Sequence, residues 1–413
     1  MVGVDFLKSK NILYAQSGGV TSVINASAYG LISKALKSEE INKIYAGIYG
    51  ISGILEGNLL DIKEEPIEKI HALSYTTSSA FGSCRRRLKD DDNEGFNRLF
   101  QIFDEYNVGY FFYNGGNDSM DTAHKIDQYA IKIGYDLKVI GIPKTIDNDL
   151  YGTDHSPGYG SAAKYLAISM LESSIDTRSM SKDSTKIFIM ETMGRHAGWL
   201  AASTSLAKLN ADFGPHIILL PERIFDEDNF VNKVKYEVEK NGYCTIAVSE
   251  GIRYKSGSFV SDMGYTDSFG NRQLGDAGRV VANIILTRLG LKVHVAVPDY
   301  LQRSSGHIVS KTDREEAIKV GEVALDLALS GISGFMVTIN RVSNEPYQVQ
   351  YGKVPLFEVA NNTKYMPEEF IADDGYGVND KFIKYAKPLI FGESYPDYKD
   401  GIPDYVYFPL NEK

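Results

Sequence analysis

The chain has only two cysteines in 413 residues, Cys84 and Cys244. That excludes a disulfide framework and leaves no paired thiols for a structural zinc. Long apolar runs are missing as well. Nothing approaches the roughly eighteen residues of a membrane-spanning helix, so no membrane partner is expected. Asp5, Lys8 and Lys10 interrupt the first residues, which argues against a secretory leader and for a cytoplasmic location. Without such a leader the asparagine sequon at 361–363 means little. An excess of positive charge is also lacking. The net charge of −10 disfavours nucleic acid or an anionic surface as the main partner. Small anionic ligands answer to local charge and remain open. Neither GxxxxGK[ST] nor GxGxxG occurs, which removes the P-loop and the dinucleotide fingerprint. Repeats and low-complexity tracts are absent too.

What is present is globular in kind, with 43% hydrophobic and 24% charged residues. The length suggests two domains. Strand-like segments at 11–16, 43–48, 108–114, 137–142, 186–191, 216–220 and 244–250 alternate with helix-like ones at 23–36, 120–132, 160–178, 196–207 and 227–240. That alternation predicts an α/β fold with parallel-rich sheets and crossover helices. A polar, glycine-rich insertion is expected at 257–275, before the helical stretch 276–290. Beyond about Val342 periodicity weakens while tyrosine and proline rise, so 342–413 is expected to be an extension wrapped on the core. The run KDDDNE at 89–94 is most simply a solvated charge cluster.

In such sheets ligands sit beyond the carboxyl ends of the strands. There the chain keeps its unusual residues. QSGG follows the first strand, NGGND the run YFFY, PKTIDND the run VIGI, TMGRHAG the run IFIME, and EG the run TIAVS. In SGGVTSVIN, Gly18 and Gly19 precede a helix, where bare amides suit a phosphate. The plainer alternative is a tight turn with Thr21 or Ser22 as helix cap. In NGGNDSMD, Gly115 and Gly116 enter another helix, and Asn117 or Asp118 could be its cap or could face a metal or donor.

PKTIDND is more informative. Lys144 offers a point charge to a phosphoryl oxygen, Asp147 could accept a proton from an attacking hydroxyl, and Asp149 could help position Mg²⁺. Arg195 and Arg303 supply guanidinium forks suited to phosphate, as does one or two of Arg85, Arg86 and Arg87. His196 reads as a structural histidine. Glycine turns, cations and a carboxylate base together point to phosphoryl transfer between small anions.

SGGVTSVIN, GGNDS, PKTIDND, METMGRHAG and YLQR resemble, in order and spacing, the 6-phosphofructokinase family over about residues 10–330, and most closely its pyrophosphate-dependent branch. The resemblance implies two Rossmann-like domains with the site in the cleft between them. Residues 1–160 and about 300–341 would form the pyrophosphate domain, and 161–299 the sugar-phosphate domain. Asp147 would deprotonate the 1-hydroxyl of fructose 6-phosphate, with Thr145 and Ile146 beside it. Met193, Gly194, Arg195, Glu250, Tyr300 and Arg303 would hold the sugar and its phosphate. Gly18, Gly19, Arg85, Gly116 and Lys144 would hold the donor. Lys186 stands where a neighbouring subunit contributes a cation, which implies a homodimer or homotetramer. ATP users generally carry glycine at the place of Asp118, so this carboxylate excludes the nucleotide and, with Lys144, favours pyrophosphate. Mg²⁺ would rest on Asn117, Asp149 and phosphate oxygens.

The pattern departs from the family at several points. Asn117 replaces a common aspartate, His294 replaces an arginine that reaches the sugar phosphate, Asp299 replaces a glycine, and QRSSGH replaces QRGG. These changes bear on acceptor choice and admit sedoheptulose 7-phosphate as a second acceptor. The alternatives are an ATP-dependent phosphofructokinase, which would differ at Asp118, and a non-catalytic sugar-phosphate-binding paralogue, which tends to lose the base.

Overall fold

A computed structural model describes residues 10–209, 213–266, 272–360 and 362–410. Residues 267–271 of the expected polar insertion and Asn361 of the sequon therefore lie outside the described residues. The strands, in chain order, are β1 (Lys10–Gln16), β2 (Ile41–Gly47), β3 (Leu59–Asp61), β4 (Val108–Gly115) and β5 (Lys138–Pro143). Then come β6 (Ile187–Thr192), β7 (Ile217–Leu219), β8 (Cys244–Ser249), β9 (Asp262–Thr266), β10 (Arg272–Leu274) and β11 (Val293–Ala296). β12 (Phe335–Asn344), β13 (Tyr347–Pro355), β14 (Tyr398–Lys399) and β15 (Ile402–Pro403) complete the set.

Two parallel-rich sheets organise the molecule. The larger has the order β13-β12-β5-β4-β1-β2-β3, parallel except for its two edge strands. The smaller, β11-β6-β8-β7, is wholly parallel. β1 shows why such strands read as continuous apolar runs. Ile12 and Tyr14 enter one core cluster while Leu13 and Ala15 enter the other, so both faces are covered. The second sheet does the same, with Met190 and Ala247 on one face and Ile189, Ile246 and Val248 on the other. Among the described residues no helix is long and apolar enough to cross a membrane.

The donor-side helix Ile24–Ala35 is anchored by close approach rather than bulk. A Cβ on Gly30 would lie 2.0 Å from the Ile318 carbonyl oxygen, and one on Gly321 2.1 Å from that of Ser27. Only glycine lets this helix and Lys311–Leu329 meet so tightly.

Three sequence expectations change. The charge run at 89–94 carries structure, because the Asp92 carboxylate accepts from the Gly95 amide and caps the helix Asn93–Glu105. The helix expected at 196–207 begins only at Trp199, since Gly194 takes a φ of 129° that ends regular structure before it. And residue 342 is no boundary in the chain's path. β12 runs through it and turns back into β13, whose polar, half-exposed alternation is that of an edge strand rather than a loop.

The hairpin β12–β13 is tied inward by charge. Arg341 forks onto the Asp154 carboxylate at 3.1 and 2.9 Å. His155, 1% exposed, stands 2.7 Å from Asp154 and 2.5 Å from Glu316, and Tyr347 donates to Glu316 at 2.6 Å. Burial alone would lower the His155 pKa, but the carboxylates of Glu316 and Asp154 outweigh it and push the imidazole up to about 9. A folded value above the unfolded one means that this stabilisation is complete below about pH 6.5 and is lost as pH climbs through 9. His155→Gln is expected to cost about 3–5 kcal/mol near pH 6.5. Urea unfolding of both proteins across pH should show the gap shrinking towards pH 9.5, and a gap that stays constant would remove the imidazolium from the account.

Candidate active site

The five unusual loops do not share one edge. Three leave the carboxyl ends of β1, β4 and β5, two leave those of β6 and β8, and the two edges face each other across a cavity of about 500 Å³. Its lining brings together Gly18, Gly19, Arg85, Gly116, Asn117, Asp118, Lys144, Thr145, Ile146, Asp147, Asp149, Met193, Arg195, Glu250, Tyr300 and Arg303.

On the larger sheet's side the turn after β1 is fixed to the loop segment at Ser83 and Cys84. The Gly18 amide donates to the Cys84 carbonyl at 2.9 Å, and Ser83 Oγ donates to the Gly18 carbonyl at 2.8 Å. No side chain caps the helix that follows, so neither Thr21 nor Ser22 serves as cap there. The helix Asn117–Ile133 is capped by Gly116, again without a side-chain bond. Asn117 and Asp118 are thus freed from capping. Asp118 pairs with Arg87 at 2.6 Å at the mouth of the cavity. Asn117 Nδ2 donates to Asp149 at 3.3 Å, while its Oδ1 is buried without a partner.

The loop after β5 carries most of the charge. Lys144 is 3% exposed and its Nζ donates to the Gly19 carbonyl at 2.5 Å, which joins the first and third glycine-rich edges. Burial lowers its pKa to about 8, with the Asp147 carboxylate opposing and the Arg303 guanidinium assisting. Burial raises the carboxyls of Asp147 and Asp149 above the ordinary range, helped by the charge of Glu250 for the first and of Asp147 for the second. Thr145 Oγ1 accepts from the Asp147 amide at 3.1 Å. Asn148, between the two aspartates, is fully buried with a φ of 54°.

On the facing side Met193 donates its amide to Gln302 at 3.1 Å, and Gly194 donates to Glu250 at 3.2 Å. A Cβ on Gly194 would lie 2.7 Å from the Ala197 carbonyl, so the turn requires glycine twice over. Burial raises the Glu250 carboxyl, and burial together with Arg195 lowers the pKa of His196, which lines the cavity. Arg303 stacks on Tyr300 at 3.8 Å and reaches towards the donor turn, its Nη1 3.1 Å from where a Gly19 Cβ would stand.

Gly194 shapes the wall through its backbone, and two expected residues stand elsewhere. Lys186 precedes β6 and donates to the Ser181 carbonyl at 2.7 Å. His294 is exposed on β11, opposite Phe188. Both lie towards the amino ends of their strands, away from this chain's cavity. Thr363 lines the cavity although sequence reasoning missed it, because the only motif it falls in, the sequon at 361–363, says nothing about a ligand site. Arg87 could have been singled out from the arginine triplet only by knowing what it faces.

Comparison with known proteins identifies relatives along nearly the whole chain. The family model described as Phosphofructokinase matches residues 11–328. A pyrophosphate–fructose 6-phosphate 1-phosphotransferase of Halomonas elongata is 48% identical, over 95% of this chain and 94% of the relative. One of Xanthomonas campestris is 49% identical over 96% and 95%. The crystal structure of a pyrophosphate-dependent phosphofructokinase from Nitrosospira multiformis superposes with a TM-score of 0.89 at 48% identity, covering 96% of each chain.

The turn at Gly194 gives a direct check on the cavity. Ligand binding to the native state raises its stability by mass action. Gly194→Ala is expected to leave far-UV circular dichroism unchanged and to abolish the thermal upshift produced by inorganic phosphate. An upshift equal to that of the native protein would separate this turn from anion binding.

Proposed function

The chain belongs to the phosphofructokinase family, and we propose that it transfers a phosphoryl group from pyrophosphate to the 1-hydroxyl of fructose 6-phosphate. The observation that carries the donor choice is the Asp118 carboxylate, held by Arg87 at the mouth of a cavity whose inner cation is Lys144. A carboxylate there repels the additional phosphate charge of a nucleotide donor and occupies the room it needs.

In the reaction the sugar oxygen attacks the transferring phosphorus while the bond to the bridging oxygen of pyrophosphate breaks. Asp147 accepts the hydroxyl proton, and its raised pKa makes it a stronger base than an ordinary carboxylate. The products are fructose 1,6-bisphosphate and phosphate, and the step is reversible. Lys144 balances charge on the transferring group, and the amides of Gly19 and Gly116 cradle donor oxygens with Arg85 beside them, while the Gly18 amide, bonded to the Cys84 carbonyl, shapes the turn. Arg195, Glu250, Tyr300, Arg303 and the Met193–Gly194 backbone hold the acceptor.

The donor set suits Mg²⁺. The unpartnered Oδ1 of Asn117 lies beside the Asp149 carboxylate, and both are hard oxygen ligands. Among the described residues no cluster of three or more His, Cys, Asp or Glu side chains is placed to hold a metal, so phosphate oxygens complete the set. Bound there, Mg²⁺ neutralises charge building on the phosphate oxygens. The positions of Lys186 and His294 suit an oligomer in which they serve a neighbour's acceptor site.

The test is formation of fructose 1,6-bisphosphate with pyrophosphate or ATP supplied separately at equal concentration with Mg²⁺. Turnover is expected with pyrophosphate alone, and Asp118→Gly should gain measurable ATP turnover. A native protein that uses ATP as well as pyrophosphate would overturn the role given to Asp118.

A further inference from the structure

The catalytic loop has a back as well as a front. Asp147 and Asp149 line the cavity, while the intervening Asn148 is fully buried in a left-handed conformation. That inversion turns its side chain away from the cavity. It meets the region beyond residue 360. Asn148 Nδ2 donates to Tyr385 Oη at 2.8 Å, and its Oδ1 accepts from the Ser156 amide at 3.2 Å and from Lys364 Nζ at 3.2 Å.

Lys364 makes more contacts there than any packing role requires. Its Nζ also donates to the carbonyls of Asp154 at 2.7 Å and Thr153 at 3.3 Å, and its own amide donates to the Asp149 carbonyl at 2.8 Å. Thr363 bridges Leu150 in a short antiparallel pairing and reaches the cavity wall. Tyr385 Oη donates in turn to the Asp154 carbonyl at 2.8 Å. On its other flank Lys364 faces Trp199, whose Nε1 donates to the Lys364 carbonyl at 3.2 Å and whose ring lies 5.1 Å from the ammonium. Trp199 opens the short helix that follows the Arg195 turn. One half-buried lysine therefore connects the loop of the larger sheet to the Arg195 turn of the smaller one.

A buried ammonium is costly unless its donors are used, and this one spends them on a single stretch of backbone. Packing would be met by methionine or leucine. The donors instead fix the Asn148 side chain between the aspartates and the carbonyls of Thr153 and Asp154 beyond them, and so hold an aim that a change of about 1 Å would spoil at a cost near 10²-fold in rate.

We infer that the segment around Lys364 and Tyr385 is a clamp that holds the Asn148 inversion, with Lys364 as a positioning residue for Asp147 and Asp149. It never touches substrate. It acts through Asn148 and the loop carbonyls. This rests on the reaction proposed above, since it takes those aspartates as the reacting and metal-holding groups.

The experiment compares the native protein with Lys364→Met, Lys364→Arg and Tyr385→Phe, measuring kcat and KM for fructose 6-phosphate at saturating pyrophosphate and Mg²⁺, well below each melting temperature. Lys364→Met and Tyr385→Phe should lower kcat about 10-fold or more while KM stays within about threefold, because the acceptor contacts lie on the other sheet. Lys364→Arg should recover part of the loss. Unchanged kcat in either folded variant, or a change confined to KM, overturns the clamp. Should Lys364→Met not fold, Tyr385→Phe decides. Hydrogen exchange over residues 145–154 reads the clamp without turnover, so a native protein inactive with pyrophosphate would sink the reaction alone. Faster exchange in the variants supports the clamp, and unchanged exchange contradicts it.

Discussion

Lys144 is the constraint around which the site is arranged. An ammonium at 3% exposure must be compensated, and three neighbours do so: the Gly19 carbonyl directly, and Asp147 and Asp149 through charge. The aspartates have the converse difficulty, since each is buried, and the charge of Glu250 for Asp147 and of Asp147 for Asp149 raises the demand for a proton or a cation. Within six residues the loop thus holds groups that are tolerable only together. Phosphoryl transfer needs the same combination, because catalysis there consists chiefly of positioning and charge neutralisation.

This constraint explains the form of the fold around the loop. β5 delivers Lys144 to the carboxyl edge beside β4 and β1, so that its loop converges with the glycine turns of those two strands. The smaller sheet presents its own carboxyl edge across the cavity and supplies Arg195 and Glu250. The cavity is therefore walled by loops of both sheets. The seam between them is filled by the region beyond residue 360, whose Met366, Phe382 and Leu389 join the core cluster around Trp199.

Much of this was legible in the sequence. Continuous apolar runs such as VGYFFY identify strands covered on both faces, and the residues after them identify the ligand edge. Lys144, Asp147 and Asp149 declared themselves by their spacing. Other features did not, for physical reasons. Asp92 as a cap looks like any acid in a charge run. Arg87 gains meaning only from Asp118, thirty-one positions away and brought to 2.6 Å by folding. Lys364 has the composition of a surface residue, and only its long-range contacts with Asn148 and Trp199 show that it is tied into the loop. Gly194 shortened an expected helix because a turn needing positive φ takes precedence over helical periodicity.

The central claim is that Asp147 removes the proton from the acceptor hydroxyl while Lys144 balances the donor. The most direct measurement is kcat of Asp147→Ala with pyrophosphate and fructose 6-phosphate, beside a melting curve that confirms folding. Loss of a general base should lower kcat by about 10²-fold or more. A folded variant that loses only a few-fold would show that another group takes the proton, and the account of this loop would fail.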